Sequence, residues 1–138
     1  MTDRMLNILL VEDDEVDVMN VRRAFQKNEI KNPLWVAANG VEGLEMLRGG
    51  DIPRDRRLVL LDLNLPRMNG IEFLRELRAD PVLRLTPVVV LTTSNDERDK
   101  IEAYNLNVAG YLLKPVTFNN FCEVMATLNK YWTLVEMP

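Results

Sequence analysis

Five short apolar segments alternate along the chain with segments of helical periodicity, and this alternation restricts the fold more than any other feature. The apolar segments are residues 7–11, 34–38, 58–61, 88–91 and 111–113, and apolar side chains follow one another directly within them. Strands covered on both faces have this pattern, which is typical of parallel sheets. Strand–helix alternation of this kind builds right-handed crossovers. We therefore predict an α/β fold with a doubly wound, five-stranded parallel sheet.

The segments between the predicted strands carry the signals of five helices. Val18, Val21 and Phe25 recur at helical spacing in the first, and Gly49 and Gly50 end the second, at residues 41–48. The third and fourth have apolar residues three or four positions apart, namely Ile71, Leu74 and Leu77, then Ile101 and Tyr104. Thr117 is a candidate N-cap for the fifth helix, whose apolar side runs through Phe118, Phe121, Met125, Leu128 and Trp132.

Composition excludes several classes of function. The 138 residues carry a net charge of −4 without a run of Lys or Arg, which argues against a nucleic-acid-binding surface. No apolar stretch has the roughly 18–20 residues of a membrane span, so we expect no membrane association. Cys122 is the single cysteine, which fits a reducing cytoplasm. Because histidine is absent, histidine-based triads, histidine-ligated zinc sites and a phosphohistidine on this chain are all excluded.

Polar residues follow the predicted strands at the positions where ligand sites form in doubly wound sheets. Glu12 and Asp13 close the first strand, Asp62 the third, Thr92 the fourth and Lys114 the fifth. Three carboxylates at one edge repel each other by about 4 kcal/mol per contact at 4 Å, so a cation is expected among them. Oxygen ligands without His or Cys favour Mg²⁺ or Mn²⁺ over zinc. A carboxylate is also a competent nucleophile for phosphoryl transfer.

Four segments in this order give the chain a family resemblance. They read ILLVEDD (8–14), LLDLNLPRMNG (60–70), PVVVLTTS (87–94) and GYLLKP (110–115). Together they resemble a bacterial response-regulator receiver domain over essentially the whole chain. The resemblance implies a flavodoxin-like (βα)5 receiver fold. It also implies that the chain is a signalling switch rather than an enzyme in the ordinary sense, receiving a phosphoryl group from a sensor histidine kinase.

The resemblance assigns Asp62 as the phosphoacceptor and places a Mg²⁺ ion beside it. Asp13 would ligate the ion directly, and Glu12 would act through a bound water. Asn64 matches the position whose backbone carbonyl completes the protein ligands. With these residues in place, the chain is expected to promote its own phosphorylation and dephosphorylation.

A second group of residues matches the positions that bind and sense the phosphoryl group. Thr92 would bond a phosphoryl oxygen, and Lys114 would pair with the phosphoryl charge. Tyr111 matches the aromatic switch position, which is expected to turn inward once Thr92 is drawn to the phosphoryl group. Pro115 matches the proline after the lysine, which in this family often follows a cis peptide bond.

A narrower likeness points to the partner. The spellings LLDLNLP, LLKPVTFNNF and YWTLV are similar to those of small stand-alone regulators that serve phytochrome-type histidine kinases. The expected partner is therefore a sensor histidine kinase of the bacteriophytochrome type.

Taken one at a time, the same residues have simpler interpretations. The acids at 12–14 would cap a helix, Thr92 would bond local backbone, and Lys114 would be an ordinary flanking base. A phosphohydrolase with an aspartate nucleophile is a rival from another class, although position 64, where such enzymes carry a second aspartate, holds Asn64. A nucleotide-binding fold lacks its Gly-rich fingerprint here, and a phosphate-free scaffold is the remaining alternative.

The end of the chain is unusually apolar. We expect a receiver domain over residues 5–130 and a tail over 131–138 that contains Tyr131, Trp132, Leu134 and Val135. Such a tail either docks on its own last helix or forms an interface. We favour a homodimer, built from the tail or from the face of the fourth helix, fifth strand and fifth helix.

Overall fold

A computed structural model describes residues 5–115 and 117–138, and five parallel strands form one sheet in it. The strand order is β2-β1-β3-β4-β5, so the crossovers run outward from β1 in both directions and helices cover both faces. In chain order the elements are β1 (Asn7–Val11), α1 (Glu15–Lys27), β2 (Leu34–Ala37), α2 (Gly40–Arg48), β3 (Arg57–Leu61), α3 (Gly70–Ala79), β4 (Val88–Thr92), α4 (Glu97–Asn105), β5 (Gly110–Leu113) and α5 (Phe118–Leu134). The predicted doubly wound α/β fold is confirmed, and each strand boundary lies within one residue of its predicted position.

The sheet separates two apolar layers because successive strand residues point to opposite faces. Leu9 and Val11 face a layer formed by α2, α3 and α4, whereas Ile8 and Leu10 face a layer formed by α1 and α5. Every residue of β3 and β4 is buried. The continuous apolar spelling of these two strands therefore reflects cover on both faces, as predicted.

Side chains at the helix N-termini fix where the helices start. Thr117 accepts a hydrogen bond from the backbone of Asn120, which confirms it as the N-cap of α5. Asp14 caps α1 in the same way, and Asn69 and Glu72 form a reciprocal capping box at α3. Helices α1 and α3 follow the two strand ends that carry acidic residues, so these caps also fix the loops at that edge.

Two arginines tie the opposite end of the sheet together through bonds to backbone carbonyls. The buried guanidinium of Arg57 donates to the carbonyls of Leu47, Ile52 and Pro53, which joins the end of α2 to the start of β3. Arg78 of α3 reaches four further carbonyls, those of Arg84, Thr86, Leu106 and Asn107. Burial lowers the pKa of both arginines.

The fourth predicted helix is present as α4, but the apolar residues that marked it in the sequence do not face the core. Ile101 and Tyr104 are each 54 % exposed, and Ala103 is the buried residue of this helix. The physical reason is that α4 contacts the sheet through a small side chain, so its larger apolar residues point to solvent. The described residues also contain no cis peptide bond, so the expected cis bond before Pro115 is absent.

The apolar end of the chain is mostly a continuation of α5. The helix runs to Leu134, so the boundary expected at residue 130 falls inside it. Trp132 is buried against Phe25 of α1, with ring centroids 6.1 Å apart in an edge-to-face arrangement. Leu134 is 84 % exposed on the same helix. Part of the tail therefore packs on its own domain, and part of it faces outward.

Candidate functional site

The ends of β1 and β3 bring the predicted carboxylates together. Val11 pairs with Leu61 in the register of these neighbouring strands, so the residues that follow, Glu12 and Asp62, leave the sheet side by side. Glu12, Asp13 and Asp62 each offer a carboxylate oxygen within 4.8 Å of the others. Glu12 and Asp62 are buried, whereas Asp13 is exposed. The cluster thus has two fixed carboxylates and one that faces solvent.

Lys114 lies across the cluster at the end of β5. Its ammonium group donates to Glu12 Oε1 at 2.5 Å, to Asp17 Oδ2 at 2.7 Å and to Asp62 Oδ2 at 3.2 Å. The lysine side chain is only 8 % exposed, so these three carboxylates are the surroundings of its charge. The backbone N–H of Lys114 also donates to the carbonyl of Thr92, which holds the ends of β4 and β5 together.

Thr92 and Asn64 contact the other oxygen of Asp62. The buried Thr92 hydroxyl donates to Asp62 Oδ1 at 2.7 Å, and the backbone N–H of Asn64 donates to the same atom at 3.1 Å. The amide side chain of Asn64 is exposed and donates to Thr93 Oγ1 at 3.3 Å. Asp62 therefore has neutral donors on Oδ1 and an ammonium group on Oδ2.

Tyr111 and Pro115 lie beside this arrangement rather than in it. The half-buried Tyr111 donates its hydroxyl to the carbonyl of Ser94 at 2.9 Å, and the Ser94 hydroxyl donates to Asp99 at 2.6 Å. Burial raises the pKa of the Tyr111 hydroxyl. Pro115 follows Lys114 and is half-buried. The Tyr111 hydroxyl is thus already bonded to the loop that follows Thr92, the last residue of β4.

Burial and ion pairing act in opposite directions on the charges of the site. Burial raises the pKa of Glu12 to about 7, although the hydrogen bond from Lys114 works against this. Burial also disfavours the Lys114 charge, but the bonds to Asp17 and Glu12 outweigh it, so the pKa of Lys114 is raised. Lys114 is therefore a permanent cation at neutral pH, and the acids around it outnumber it.

Sequence reasoning did not identify Asp17 as part of the site. This residue lies in the first turn of α1, where an acid is explained by the helix dipole alone. Its position in the sequence could have indicated it. Asp17 lies five residues after Glu12, so the first turn of the helix places it near the end of the first strand. The direction of its side chain toward Lys114 depends on how α1 packs, and that information is not local.

The oxygen cluster suits a hard divalent cation. Its donors are carboxylates only, and one of them faces solvent, which leaves room for the waters that Mg²⁺ retains. A divalent ion would also offset the excess of negative charge that one lysine cannot neutralise. The donor set of the described residues therefore fits the predicted cation.

Comparison with known proteins agrees with this geometry. The family model for the response regulator receiver domain matches residues 8–126. The chain is 37 % identical to a probable methanogenesis regulatory protein, FilR2, of Methanothrix harundinacea over 91 % of this chain and 82 % of that protein. It is 36 % identical to the response regulator Rcp1 of Synechocystis over 91 % of this chain and 87 % of that protein.

Solved structures extend the agreement to three dimensions. The phosphorylated cyanobacterial phytochrome response regulator RcpA superposes with a TM-score of 0.86 at 32 % identity, over 97 % of this chain and 99 % of that one. The Mn²⁺-bound form of Rcp1 has a TM-score of 0.84 at 35 % identity, over 96 % of this chain and 99 % of that one. The likeness to phytochrome-associated regulators seen in the sequence is therefore confirmed. The chain belongs to the response regulator receiver domain family, the signalling switches of two-component systems.

Proposed function

We propose that this chain accepts a phosphoryl group on Asp62 from a phosphohistidine of a sensor histidine kinase. The observation that carries the proposal is the environment of the Asp62 carboxylate, which lies between an ammonium donor, a hydroxyl donor and two further carboxylates. A carboxylate so placed has groups to stabilise an arriving phosphoryl anion and a place for a cation to offset its charge. Because the chain has no histidine, the phosphohistidine belongs to the partner.

Glu12, Asp13 and Asp62 would hold Mg²⁺, together with the backbone carbonyl of Asn64. When bound, the ion supplies positive charge that neutralises phosphoryl oxygens and the acidic cluster. The Mn²⁺-bound structure of Rcp1 supports a divalent ion in a relative of this fold. The choice of Mg²⁺ rests on the all-oxygen ligand set and on its preference for phosphoryl oxygens.

The protein's own residues position and stabilise the transfer. An Asp62 oxygen attacks the phosphorus in line, the new O–P bond forms, and the P–N bond breaks with its electron pair moving to the imidazole nitrogen. Lys114 and the Thr92 hydroxyl donate to the equatorial phosphoryl oxygens, because both already reach the Asp62 carboxylate. In the same geometry, water would later hydrolyse the acyl phosphate, so the chain promotes both reactions.

The switch would run through Thr92 and Tyr111. The Thr92 hydroxyl leaves Asp62 Oδ1 for a phosphoryl oxygen, and the loop that follows Thr92 adjusts. Tyr111 is bonded to that loop through the Ser94 carbonyl, so it senses the adjustment. The phosphoryl group can shift the equilibrium between the resting and the switched conformation only if it makes stronger contacts in one of them.

The proposed partners follow from the family and the relatives. A bacteriophytochrome-type histidine kinase is the proposed donor, since RcpA is a phytochrome response regulator.

We place the protein in the cytoplasm, where the buried free thiol of Cys122 stays reduced. No helix within the described ranges is long and apolar enough to cross a membrane. A homodimer is proposed as well, and nucleic acid is not a proposed partner.

A phosphohydrolase that uses Asp62 as nucleophile is the alternative, and position 64 weighs against it. Such an enzyme needs a general acid two residues after the nucleophile, and the Asn64 amide cannot donate a proton in that role. Multiple turnover of a small phosphate ester would nevertheless favour the hydrolase, whereas a stoichiometric label on the protein favours the receiver.

Phosphotransfer from a labelled histidine kinase tests the proposal. We expect wild type with Mg²⁺ to take up label, Asp62→Asn to take up none, and chelation of the metal to abolish uptake. Asp51→Asn, which changes an exposed loop acid away from the cluster, is the matched control and should behave like wild type. Label on Asp62→Asn at the wild-type level would refute the proposal.

A further inference from the structure

Among the residues that the structure describes, Asp17 is the one carboxylate bonded to Lys114 that lies outside the oxygen cluster. The ammonium group of lysine has three N–H donors, and the three bonds to Glu12, Asp17 and Asp62 use all of them. Glu12 and Asp62 lie in the cluster of carboxylate oxygens, and Asp17 lies outside it, on α1. Asp17 thus acts on the lysine from a different element of the fold.

The geometry points to competition for the lysine. Lys114 is closer to Asp17, at 2.7 Å, than to Asp62, at 3.2 Å. An acyl phosphate on Asp62 would need the same ammonium group for its phosphoryl oxygens. We propose that Asp17 is a positioning residue that draws Lys114 toward α1 and so limits how strongly the lysine binds a phosphoryl group on Asp62.

This inference rests on the proposed function of Asp62, and it gives Asp17 a regulatory role within that function. Asp17 is 35 % exposed at its side chain, so water partly screens the pair, and its bond to Lys114 is the weaker restraint compared with that of the buried Glu12. An acid at position 17 would therefore lower the affinity of the site for a phosphoryl group, and binding itself would not require it.

Binding of beryllium trifluoride, a phosphoryl analogue, in saturating Mg²⁺ tests the inference by calorimetry. Asp17→Asn keeps the shape of the side chain and removes its charge, so the pull of α1 on Lys114 weakens while its bond to Glu12 remains. We expect about three- to fivefold tighter binding, the size of a partly exposed ion pair. Asp17→Glu keeps the carboxylate and should stay close to wild type. If Asp17 contributed only through packing, the affinity of Asp17→Asn for the analogue would be close to that of wild type. The longer side chain of Asp17→Glu would then change the affinity more.

Glu15→Gln is the matched control, because it removes one exposed acid from the same turn of α1 without a contact to Lys114. We expect its affinity for the analogue to equal that of wild type, whereas a general charge effect would move both variants equally. Weaker or unchanged binding by Asp17→Asn would overturn the inference. Failure of wild type to bind the analogue, or equal binding by Asp62→Asn, would instead overturn the proposed function.

Discussion

At the scale of residues, the charge balance around Lys114 determines how the site behaves without a cation. One ammonium group pairs with two buried or nearly buried carboxylates, Glu12 and Asp62, and with the more exposed Asp17. Burial of ions is costly, and the loss of one partner leaves the others uncompensated. The lysine therefore stabilises the metal-free fold, in addition to the phosphoryl-binding role proposed for it.

Lys114→Ala should lower the free energy of unfolding of the metal-free protein by about 3 kcal/mol, because buried carboxylates lose their counter-ion. Added Mg²⁺ should restore much of this loss and should bind at least as tightly as to wild type. Chemical denaturation with and without Mg²⁺ measures both effects. A variant whose Mg²⁺ affinity falls would contradict a site in which the lysine opposes the cation.

Individual residues also mark the limit of sequence reasoning. Glu12, Asp62, Thr92 and Lys114 were identifiable because they follow apolar strands, and parallel strands end at one edge of a sheet. Asp17 was not, because its role depends on the side-chain direction after α1 has packed. The assignment of chemical roles required the family resemblance, since each residue alone has an ordinary structural interpretation.

At the scale of elements, the junction between β3 and α3 holds Asp62 in place. Gly70 begins α3 and donates its N–H to the Leu63 carbonyl at 3.0 Å. A Cβ atom at Gly70 would lie 2.6 Å from Leu63 Cα and 2.7 Å from the Asp62 carbonyl oxygen. These neighbours are backbone atoms, so an added methyl group must displace the segment that carries Asp62.

Gly70→Ala should therefore lower the free energy of unfolding by about 1–3 kcal/mol and slow phosphorylation of Asp62. Gly50→Ala is the control, because nothing lies within 4 Å of a Cβ atom at Gly50. Urea denaturation and labelling rates measure the two effects. Wild-type behaviour of Gly70→Ala in both assays would show that α3 can shift without moving Asp62.

Asp80 joins the ends of α2 and α3 and should make stability depend on pH. Backbone N–H donation from Val82 and the Arg48 guanidinium lower the pKa of Asp80 below its ordinary value of 3.8. The stability that the charged form contributes is present above pH 3.8 and is lost as pH falls through the lower pKa of the folded state. Asp80→Asn should therefore have a lower Tm than wild type at pH 7.

The Tm difference between wild type and Asp80→Asn should narrow as the pH is taken below 3.8, because the wild-type carboxyl group then loses its charge. Thermal unfolding over a pH series measures this difference. A gap that stays constant through the acid range would show that the charge of Asp80 is not the source of the Tm difference.

The elements themselves were predictable to different degrees. Strands β3 and β4 are buried on both faces, so their apolar spelling indicated them directly. Helix α4 was correctly placed, but its apolar pair did not reveal its orientation, since it packs through Ala103 while Ile101 and Tyr104 face solvent. Periodicity reports which apolar residues share a face, and it cannot report whether that face meets the core or a partner.

At the scale of the whole molecule, α5 has an inner and an outer role. Trp132 belongs to the core, and Leu134 and Tyr131 expose apolar surface. Deletion of residues 131–138 would therefore remove the exposed surface and the buried Trp132 together, so its effects on self-association and on stability could not be separated. Point substitutions separate the two roles.

Leu134→Asp should weaken self-association and leave the Tm unchanged if the outer face of α5 forms the proposed homodimer. Trp132→Ala should lower the free energy of unfolding by about 3–5 kcal/mol, because it empties a packed site against Phe25. Sedimentation velocity and thermal unfolding measure these outcomes. An unchanged sedimentation profile of Leu134→Asp would exclude this face from the interface.

Asp62 is proposed as the nucleophile around which the strand ends gather the other polar groups of the site. Reduction of the phosphorylated protein with borohydride converts an aspartyl phosphate to homoserine, which peptide mass mapping can locate. We predict homoserine at position 62, formed with Mg²⁺ and absent when the metal is chelated. Homoserine at Asp13 or another aspartate, or a yield independent of Mg²⁺, would contradict the central claim.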